Sequence, residues 1–268
     1  MGVVPVLNLT KHHGLGNDFL VLLDLDERVP VDAALARALC DRHRGIGADG
    51  IMRVTPGRDG ADVAMQLRNA DGGEAELSGN GLRCMAQAVV DAGVVAGPEL
   101  TVATAAGVRR LVVGPGEGPG SAWVSVEMGK AELGPDQPQD FPDRKARTVD
   151  MGNPHLVLAG PDPAGVDVAQ LGPRIESTFS DGVNVEFVAV GPGADALTMR
   201  VWERGVGETL ACGTGACAAA AAAHSWGLVG ERVTVHQPGG AAQVELRPDG
   251  VVLSGPTQRI ARIEVELP

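Results

Sequence analysis

Apolar positions recur along the chain with two periods. Short runs rich in Val, Leu and Ile, bounded by Gly, Pro and Asp, predict strands. They fall at Val4–Leu9, Phe19–Leu23, Ile51–Val54, Val63–Arg68, Val108–Val113 and Trp123–Glu127. A second set falls at Leu156–Leu158, Val185–Val190, Leu197–Glu203, Arg232–His236, Ala242–Arg247 and Arg262–Glu266. Leu82, Met85, Ala86, Val89 and Val90 instead recur at i, i+3, i+4, i+7 and i+8, which predicts one apolar helix face ending at Gly93. A counterpart is predicted from about Ala216 to Trp226, stopped by Gly227. Its alanines lie on all sides, so it should be enclosed. A shorter helix should start at the cap Asp32 and end near Gly45.

The pattern is written twice. Gly16-Asn17-Asp18-Phe19-Leu20-Val21-Leu22 aligns with Gly152-Asn153-Pro154-His155-Leu156-Val157-Leu158. Val31-Asp32 aligns with Val166-Asp167, each before a helical stretch. Gly73-Glu74-Ala75-Glu76-Leu77-Ser78-Gly79-Asn80-Gly81 aligns with Gly207-Glu208-Thr209-Leu210-Ala211-Cys212-Gly213-Thr214-Gly215. The offsets, 16 to 152, 31 to 166 and 73 to 207, are 136, 135 and 134 residues. A period of half the chain is too long for a solenoid and predicts two similar domains with a ligand site in the cleft between them. The expected fold is α/β (α+β), two pseudo-symmetric domains, each a β-barrel-like sheet wrapped around a central helix. The N-terminal domain is placed at 1–117 and the C-terminal domain at 118–257, with a linker in Gly114–Gly120. The last strand, 258–268, is free to return to the first domain.

Composition narrows the function. The 268 residues carry a formal charge of −12, which disfavours phosphate backbones and anionic lipid as partners. Aromatic residues make up only 3 %, and Tyr is absent, against a base-stacking surface. No secretory pattern stands in Met1–Thr10, and the longest apolar block, Ala216–Ala223, is too short to span a bilayer. Cys40, Cys84, Cys212 and Cys217 are accordingly read as reduced thiols of a cytoplasmic protein. Cys84 and Cys217 are assigned to helix packing. Cys40 and His43 have helical i, i+3 spacing but no second pair to complete a metal site. Lys11, Lys130 and Lys145 are the only lysines, none in a setting suited to a pyridoxal Schiff base, and no nucleotide loop is present. The expected partner is a small amino acid, with no cofactor, no nucleic acid and no membrane; a homodimer is left open.

Each half ends its repeated block with a small reactive side chain, then Gly-x-Gly, then a helix: Ser78 before Gly79-Asn80-Gly81, and Cys212 before Gly213-Thr214-Gly215. Free N–H groups at a helix start bind a carboxylate and favour a thiolate, so the Cys212 pKa is expected to be lowered. Two such turns on opposite faces of one substrate suit inversion at a carbon α to a carboxylate. Taken alone, a Gly-x-Gly at a strand–helix junction is usually structural, and a lone Cys is usually a small buried hydrophobe. The duplicated placement singles these two out.

Further runs carry a family likeness. His13–Phe19, Gly47-Ala48-Asp49-Gly50, Arg68–Gly72, Ser78–Cys84, Gly152–His155, Val183-Asn184-Val185-Glu186-Phe187, Glu203–Thr209 and Ala211–Gly215 together resemble the diaminopimelate epimerases. The resemblance covers nearly the whole chain in order. It implies a cofactor-independent isomerase that interconverts LL- and meso-2,6-diaminopimelate on the lysine and peptidoglycan precursor route. It also implies that Cys212 is one of two acid/base thiols, with Gly213 and Thr214, and Gly79 and Asn80, as carboxylate cradles. Asn17, Asn69, Asn153, Asn184, Glu203 and Arg204 match the set that holds the substrate, and His155 and Glu203 match residues that tune the thiols. Outside that context His155 reads as a satisfied strand histidine and Glu203 as a surface ion-pair partner.

Two positions depart from the family pattern. Ser78 stands where a second thiol is expected, and a hydroxyl is a far weaker acid that needs an activating base. An engineered Cys→Ser change, a natural working variant and a loss of epimerase activity all fit this residue. An isomerase of another small amino acid and a catalytically silent binding protein are the alternative functions. Cys84 sits in the following helix and is a poor substitute for the missing thiol. Gly50 stands where relatives carry a polar side chain, so one substrate contact is missing or replaced by water.

Overall fold

The computed structural model describes residues 6–75, 77–137, 141 and 143–266. The start of the predicted strand 4–9, Glu76 of the repeat and the end of 258–268 therefore lie outside the described residues. The chain forms two compact units, Met1–Val126 with Pro256–Pro268, and Glu127–Gly255.

The first unit contains β1 (Val6–Gly14), β2 (Asn17–Leu23), α1 (Ala33–Cys40), β3 (Gly50–Pro56), β4 (Val63–Asn69), β5 (Glu74–Ala75), α2 (Gly79–Asp91), β6 (Glu99–Thr104), β7 (Gly107–Pro115) and β8 (Ser121–Gly129). The β1/β2, β3/β4, β6/β7 and β7/β8 pairs are antiparallel, while β2/β3 and β4/β6 are parallel. The end of the last strand returns antiparallel to β1, Val6 opposite Glu266 and His13 opposite Gln258, and also pairs with β8. These pairings close β1, β2, β3, β4, β6, β7, β8 and the end of the last strand into a ring.

The second unit contains β9 (Glu132–Asp136), β10 (Lys145–Asp150), β11 (Pro154–Ala159), a 3-10 turn at Pro163–Gly165, α3 (Val168–Glu176), β12 (Asn184–Val190), β13 (Ala196–Glu203), β14 (Gly207–Thr209), α4 (Gly213–Ser225), β15 (Arg232–Gln237), β16 (Gly240–Arg247) and the first part of β17 (Gly250–Glu266). Its pairings repeat the same senses: β10/β11 antiparallel, β11/β12 parallel, β12/β13 antiparallel, β13/β15 parallel, β15/β16 antiparallel. The sequence repeat is thus also a repeat of strand topology.

In each unit one helix is the core. α2 packs on β1, β2, β3 and β7, and α4 on β10, β11, β12, β13, β15 and β16. Residues 213–223 of α4 are all buried; alanine is the best helix former, and its small side chain lets strands approach from every side. α2 departs from the one-faced helix that its periodicity predicts. Every residue from Gly79 to Val89 is buried, Arg83 and Gln87 included. Gln87 can be enclosed because it is satisfied: its Nε2 donates to Gly120 O at 2.7 Å and its Oε1 meets His12 Nδ1 at 3.3 Å. Burial pushes the His12 pKa down to about 4, so His12 is a neutral core residue.

α1 and α3 cover the outside of their sheets. Asp32 and Asp167 cap them, accepting from Leu35 N at 2.8 Å and Gln170 N at 3.0 Å. α1 stops at Cys40, short of the expected end near Gly45. The Asp41 carboxylate takes the His43 and Arg44 N–H groups, offering the backbone a turn in place of a further helical bond. His43 is therefore off the helix that would have paired it with Cys40. Gly114–Gly120, expected as a linker, ends β7 and forms the turn of the β7/β8 hairpin, and the change of unit falls later, inside β8.

Candidate active site

Both glycine turns start their helices in the same way. Ser78 is the N-cap of α2, with Oγ accepting from Gly81 N at 3.1 Å. Cys212 is the N-cap of α4, with Sγ accepting from Gly215 N at 3.3 Å. Each cap residue is extended, at φ −136 and ψ 117 for Ser78 and φ −122 and ψ 120 for Cys212. The repeat therefore equates the two side chains in position as well as in sequence.

The Cys212 turn carries most of the ionisable chemistry. Its Sγ lies 3.5 Å from Thr214 Oγ1. Thr214 Oγ1 lies 3.4 Å from Asn153 Nδ2, and Asn153 Oδ1 lies 3.0 Å from His155 Nε2. His155 Nδ1 is 2.7 Å from Glu186 Oε1, with both side chains fully buried. Glu203, at the end of β13, accepts a hydrogen bond from Thr209 Oγ1. Asn184 donates from Nδ2 to Pro154 O at 2.9 Å and accepts from Arg204 N at 2.9 Å, which fixes its carboxamide. The Arg204 side chain is exposed, with Nη1 donating to Asp181 O at 2.9 Å.

Electrostatics at Cys212 run opposite to the expectation of a lowered pKa. Burial pushes the thiol well above its ordinary range, and the Glu203 and Glu186 carboxylates push it further. The Thr214 and Gly215 hydrogen bonds act the other way and are outweighed. Desolvation also raises the Glu203 pKa, against hydrogen bonds from Thr209 and Cys212 and the charge of His155. A thiol that holds its proton beside a carboxyl group of raised basicity is a matched pair for proton transfer. Cys40 and Cys84 are pushed up to about 11 and about 12, chiefly by burial, and serve packing, as does the buried Cys217.

In the first unit, Asn17 Nδ2 donates to Asp49 Oδ2 at 2.7 Å, and Asn17 Oδ1 accepts from Asn80 Nδ2 at 3.3 Å. Arg83 Nη2 donates to Asn80 Oδ1, and Arg83 Nε to Gly79 O at 3.4 Å. Asp49 also accepts from Arg42 Nη2 at 2.7 Å, tying this row to the Arg42–Asp18–Lys11 ion-pair cluster. Asn69 ends β4 opposite Gly50, and its backbone N donates to Gly73 O at 2.9 Å. A Cβ at Gly50 would stand 2.7 Å from Arg68 O, so the backbones here are too close for a side chain without a shift.

The sequence motifs name Ser78, Cys212 and residues bonded around them and assign no role to Glu186, Asp49, Arg83 and Gln237. Gln237 Oε1 accepts the Cys212 N–H at 2.8 Å and so holds the turn from behind. The signal for Glu186 was available: a charged residue in the apolar run Val185–Val190, two positions after Asn184.

A family model described as diaminopimelate epimerase matches residues 9–134 and 147–260. A curated relative from Moorella thermoacetica, named diaminopimelate epimerase, is 41 % identical over 278 aligned positions, covering 96 % of this chain and 98 % of its own. Among solved structures, a Bacillus anthracis phenazine biosynthesis protein of the PhzF family superposes with a TM-score of 0.75 at 14 % identity, over 98 % of this chain and 100 % of its own. A hydroxyproline epimerase from Agrobacterium vitis superposes with a TM-score of 0.72 at 18 % identity, over 100 % of this chain and 94 % of its own. At these identities the structural likeness concerns the fold.

Proposed function

The chain belongs to the diaminopimelate epimerase family, and from that premise we propose how its own residues carry the reaction. It is an isomerase that interconverts LL- and meso-2,6-diaminopimelate, a step of lysine biosynthesis. Inversion removes the α-proton from one face and returns one to the other. Cys212 serves one face. Glu203 takes the thiol proton, the thiolate then takes the α-proton of the substrate, and the reverse sequence returns it. Desolvation raises the Glu203 pKa and so makes its carboxylate a stronger base toward the neighbouring thiol, which supports this assignment.

Ser78 occupies the position that serves the other face. In the first unit the places of His155 and Glu186 are taken by Phe19 and Met52, by strand register and repeat offset. A hydroxyl is a far weaker acid than a thiol, so proton transfer at this face limits the rate. The N–H groups opening α2 and α4 at Gly79, Asn80, Gly213 and Thr214 cradle carboxylates, and Arg204 pairs with a carboxylate in bidentate fashion. Asn17, Asn69, Asn153 and Asn184 orient the ammonium and carboxylate ends, and Glu203 also receives an ammonium.

One observation carries the proposal: a cap thiol within hydrogen-bond reach of a row of polar residues, next to a carboxyl group of raised pKa. Incubation with LL-diaminopimelate in deuterated water tests it. Deuterium appears at the α-carbon of recovered amino acid if Cys212 exchanges its proton, and is absent from the Cys212→Ala reaction. A wild-type pool without α-deuterium rejects the assignment. No helix among the described residues is long and apolar enough to cross a membrane. A cytoplasmic location and a place on the peptidoglycan precursor route belong to the same proposal, and light scattering of the purified chain decides between monomer and homodimer.

A further inference from the structure

The hydrogen bonds beneath Cys212 form one continuous row. It runs Glu186 Oε1 to His155 Nδ1 at 2.7 Å, His155 Nε2 to Asn153 Oδ1 at 3.0 Å, Asn153 Nδ2 to Thr214 Oγ1 at 3.4 Å, and Thr214 Oγ1 to Cys212 Sγ at 3.5 Å. The inner end is a carboxylate at 0 % exposure, and its Oε2 has no hydrogen-bond partner among the described residues. Burying such a group is unfavourable unless it is paired, so packing alone does not account for an acid here.

The internal repeat supplies the control. Parallel register sets Phe19 against Gly50 in β2/β3 and His155 against Asn184 in β11/β12, so Phe19 corresponds to His155 and, two residues along β3, Met52 to Glu186. The same backbone positions are thus filled stably by an apolar pair. In that unit Asn17, the counterpart of Asn153, is anchored directly by the Asp49 carboxylate at 2.7 Å. Each unit therefore ties its turn asparagine to a carboxylate, by a different route.

We propose that Glu186 is a positioning residue for the Cys212 turn. By accepting from His155 Nδ1–H it fixes the ring so that Nε2–H donates to Asn153 Oδ1, and through Asn153 and Thr214 it holds the hydrogen-bond environment of the thiol. This rests on the reading of Cys212 as an acid/base group.

The test has two independent arms. In the first, ¹⁵N-histidine-labelled enzyme without substrate is compared with Glu186→Gln by long-range proton–nitrogen correlation, the His155 signals being assigned by their loss in His155→Phe. A proton on Nδ1 hydrogen-bonded to Glu186 is expected in the wild type, and its proton and nitrogen shifts move in Glu186→Gln, where the acceptor is neutral. An unchanged signature overturns the proposal even if the enzyme proves inactive. In the second arm, kcat and KM for LL-diaminopimelate are measured for Glu186→Gln and Glu186→Met, His155→Phe and the His155→Phe/Glu186→Met pair. Losses of roughly 10- to 100-fold, as for other residues that orient a working group, are expected in kcat with little change in KM. The pair should lose no more than His155→Phe alone, because the two residues act as one unit. The pair is the arrangement of the first unit and so keeps the measurement open if Glu186→Gln does not fold. Wild-type kcat in the Phe/Met pair overturns the proposal. Absence of turnover in the wild type would overturn the acid/base reading, leaving the first arm to judge the positioning.

Discussion

Gly81 and Gly215 occupy the same place in the two halves, and an alanine should be costly at one and tolerated at the other. Both stand in the first turn of their helix, where Gly→Ala gains up to ~1 kcal/mol in helix propensity. At Gly215 the new Cβ would lie 2.7 Å from Glu186 Oε1 and 3.2 Å from Cys212 Sγ. The carboxylate must move, and the oxygen that moves is the one bound to His155 at 2.7 Å. Weakening a buried charged hydrogen bond costs about 1.5–3 kcal/mol, so Gly215→Ala should be destabilised by about 0.5–2 kcal/mol net. At Gly81 the new Cβ would lie 3.2 Å from Ser78 Cβ and 3.3 Å from Met52 Sδ. A thioether gives way by a few tenths of an ångström at little cost, so Gly81→Ala should stay within about 0.5 kcal/mol of the parent. Urea unfolding with a shared m-value reads the difference directly. Equal midpoints for the two variants, or a larger loss for Gly81→Ala, would refute the claim that Glu186 is held in place under Gly215.

Three further outcomes are expected. Ser78→Cys should raise the α-proton exchange rate at least tenfold, because general acid–base catalysis contributes about 10²–10⁴-fold and the hydroxyl is the weaker group; an unchanged rate would mean that Ser78 does not limit turnover. Inactivation by iodoacetamide should keep accelerating above pH 9, because burial and two carboxylates raise the Cys212 pKa, with Cys212→Ala as the control; a plateau below pH 8 contradicts it. His12 is held down at about 4 against an unfolded value near 6.5, so the unfolded chain binds the extra proton between these values. Stability contributed by keeping His12 neutral is present above pH 6.5 and declines as the pH falls toward 4, by up to about 3 kcal/mol. Denaturation midpoints at pH 7 and pH 4.5 should therefore diverge more for the parent than for His12→Gln, and parallel shifts would refute the assignment.

Much of the fold is legible because it is local. Asp32 and Asp167 sit before their helices and cap them, and Ser78 and Cys212 do the same before α2 and α4. β6, β9 and β10 escape the pattern: Glu99–Thr104 and Lys145–Asp150 mix charged and apolar residues, and Glu132–Asp136 contains a proline. Their pairing partners supply what their own periodicity does not. Arg83 and Gln87 mislead for a related reason, since a polar residue in a helix face reads as exposed until an acceptor is found for it inside.

The amino-acid order alone determines the duplication, the two helix-capping turns and the family, because each is carried by spacings within short segments or by their recurrence. Tertiary structure decided the chemistry of the thiol. Glu186 lies 31 residues from His155 and meets it only because β11 and β12 pair in parallel at one register. The reversal of the expected Cys212 pKa likewise arises from enclosure and from carboxylates on other strands. Desolvation and Coulomb forces depend on distances through space, and separation along the chain does not encode them.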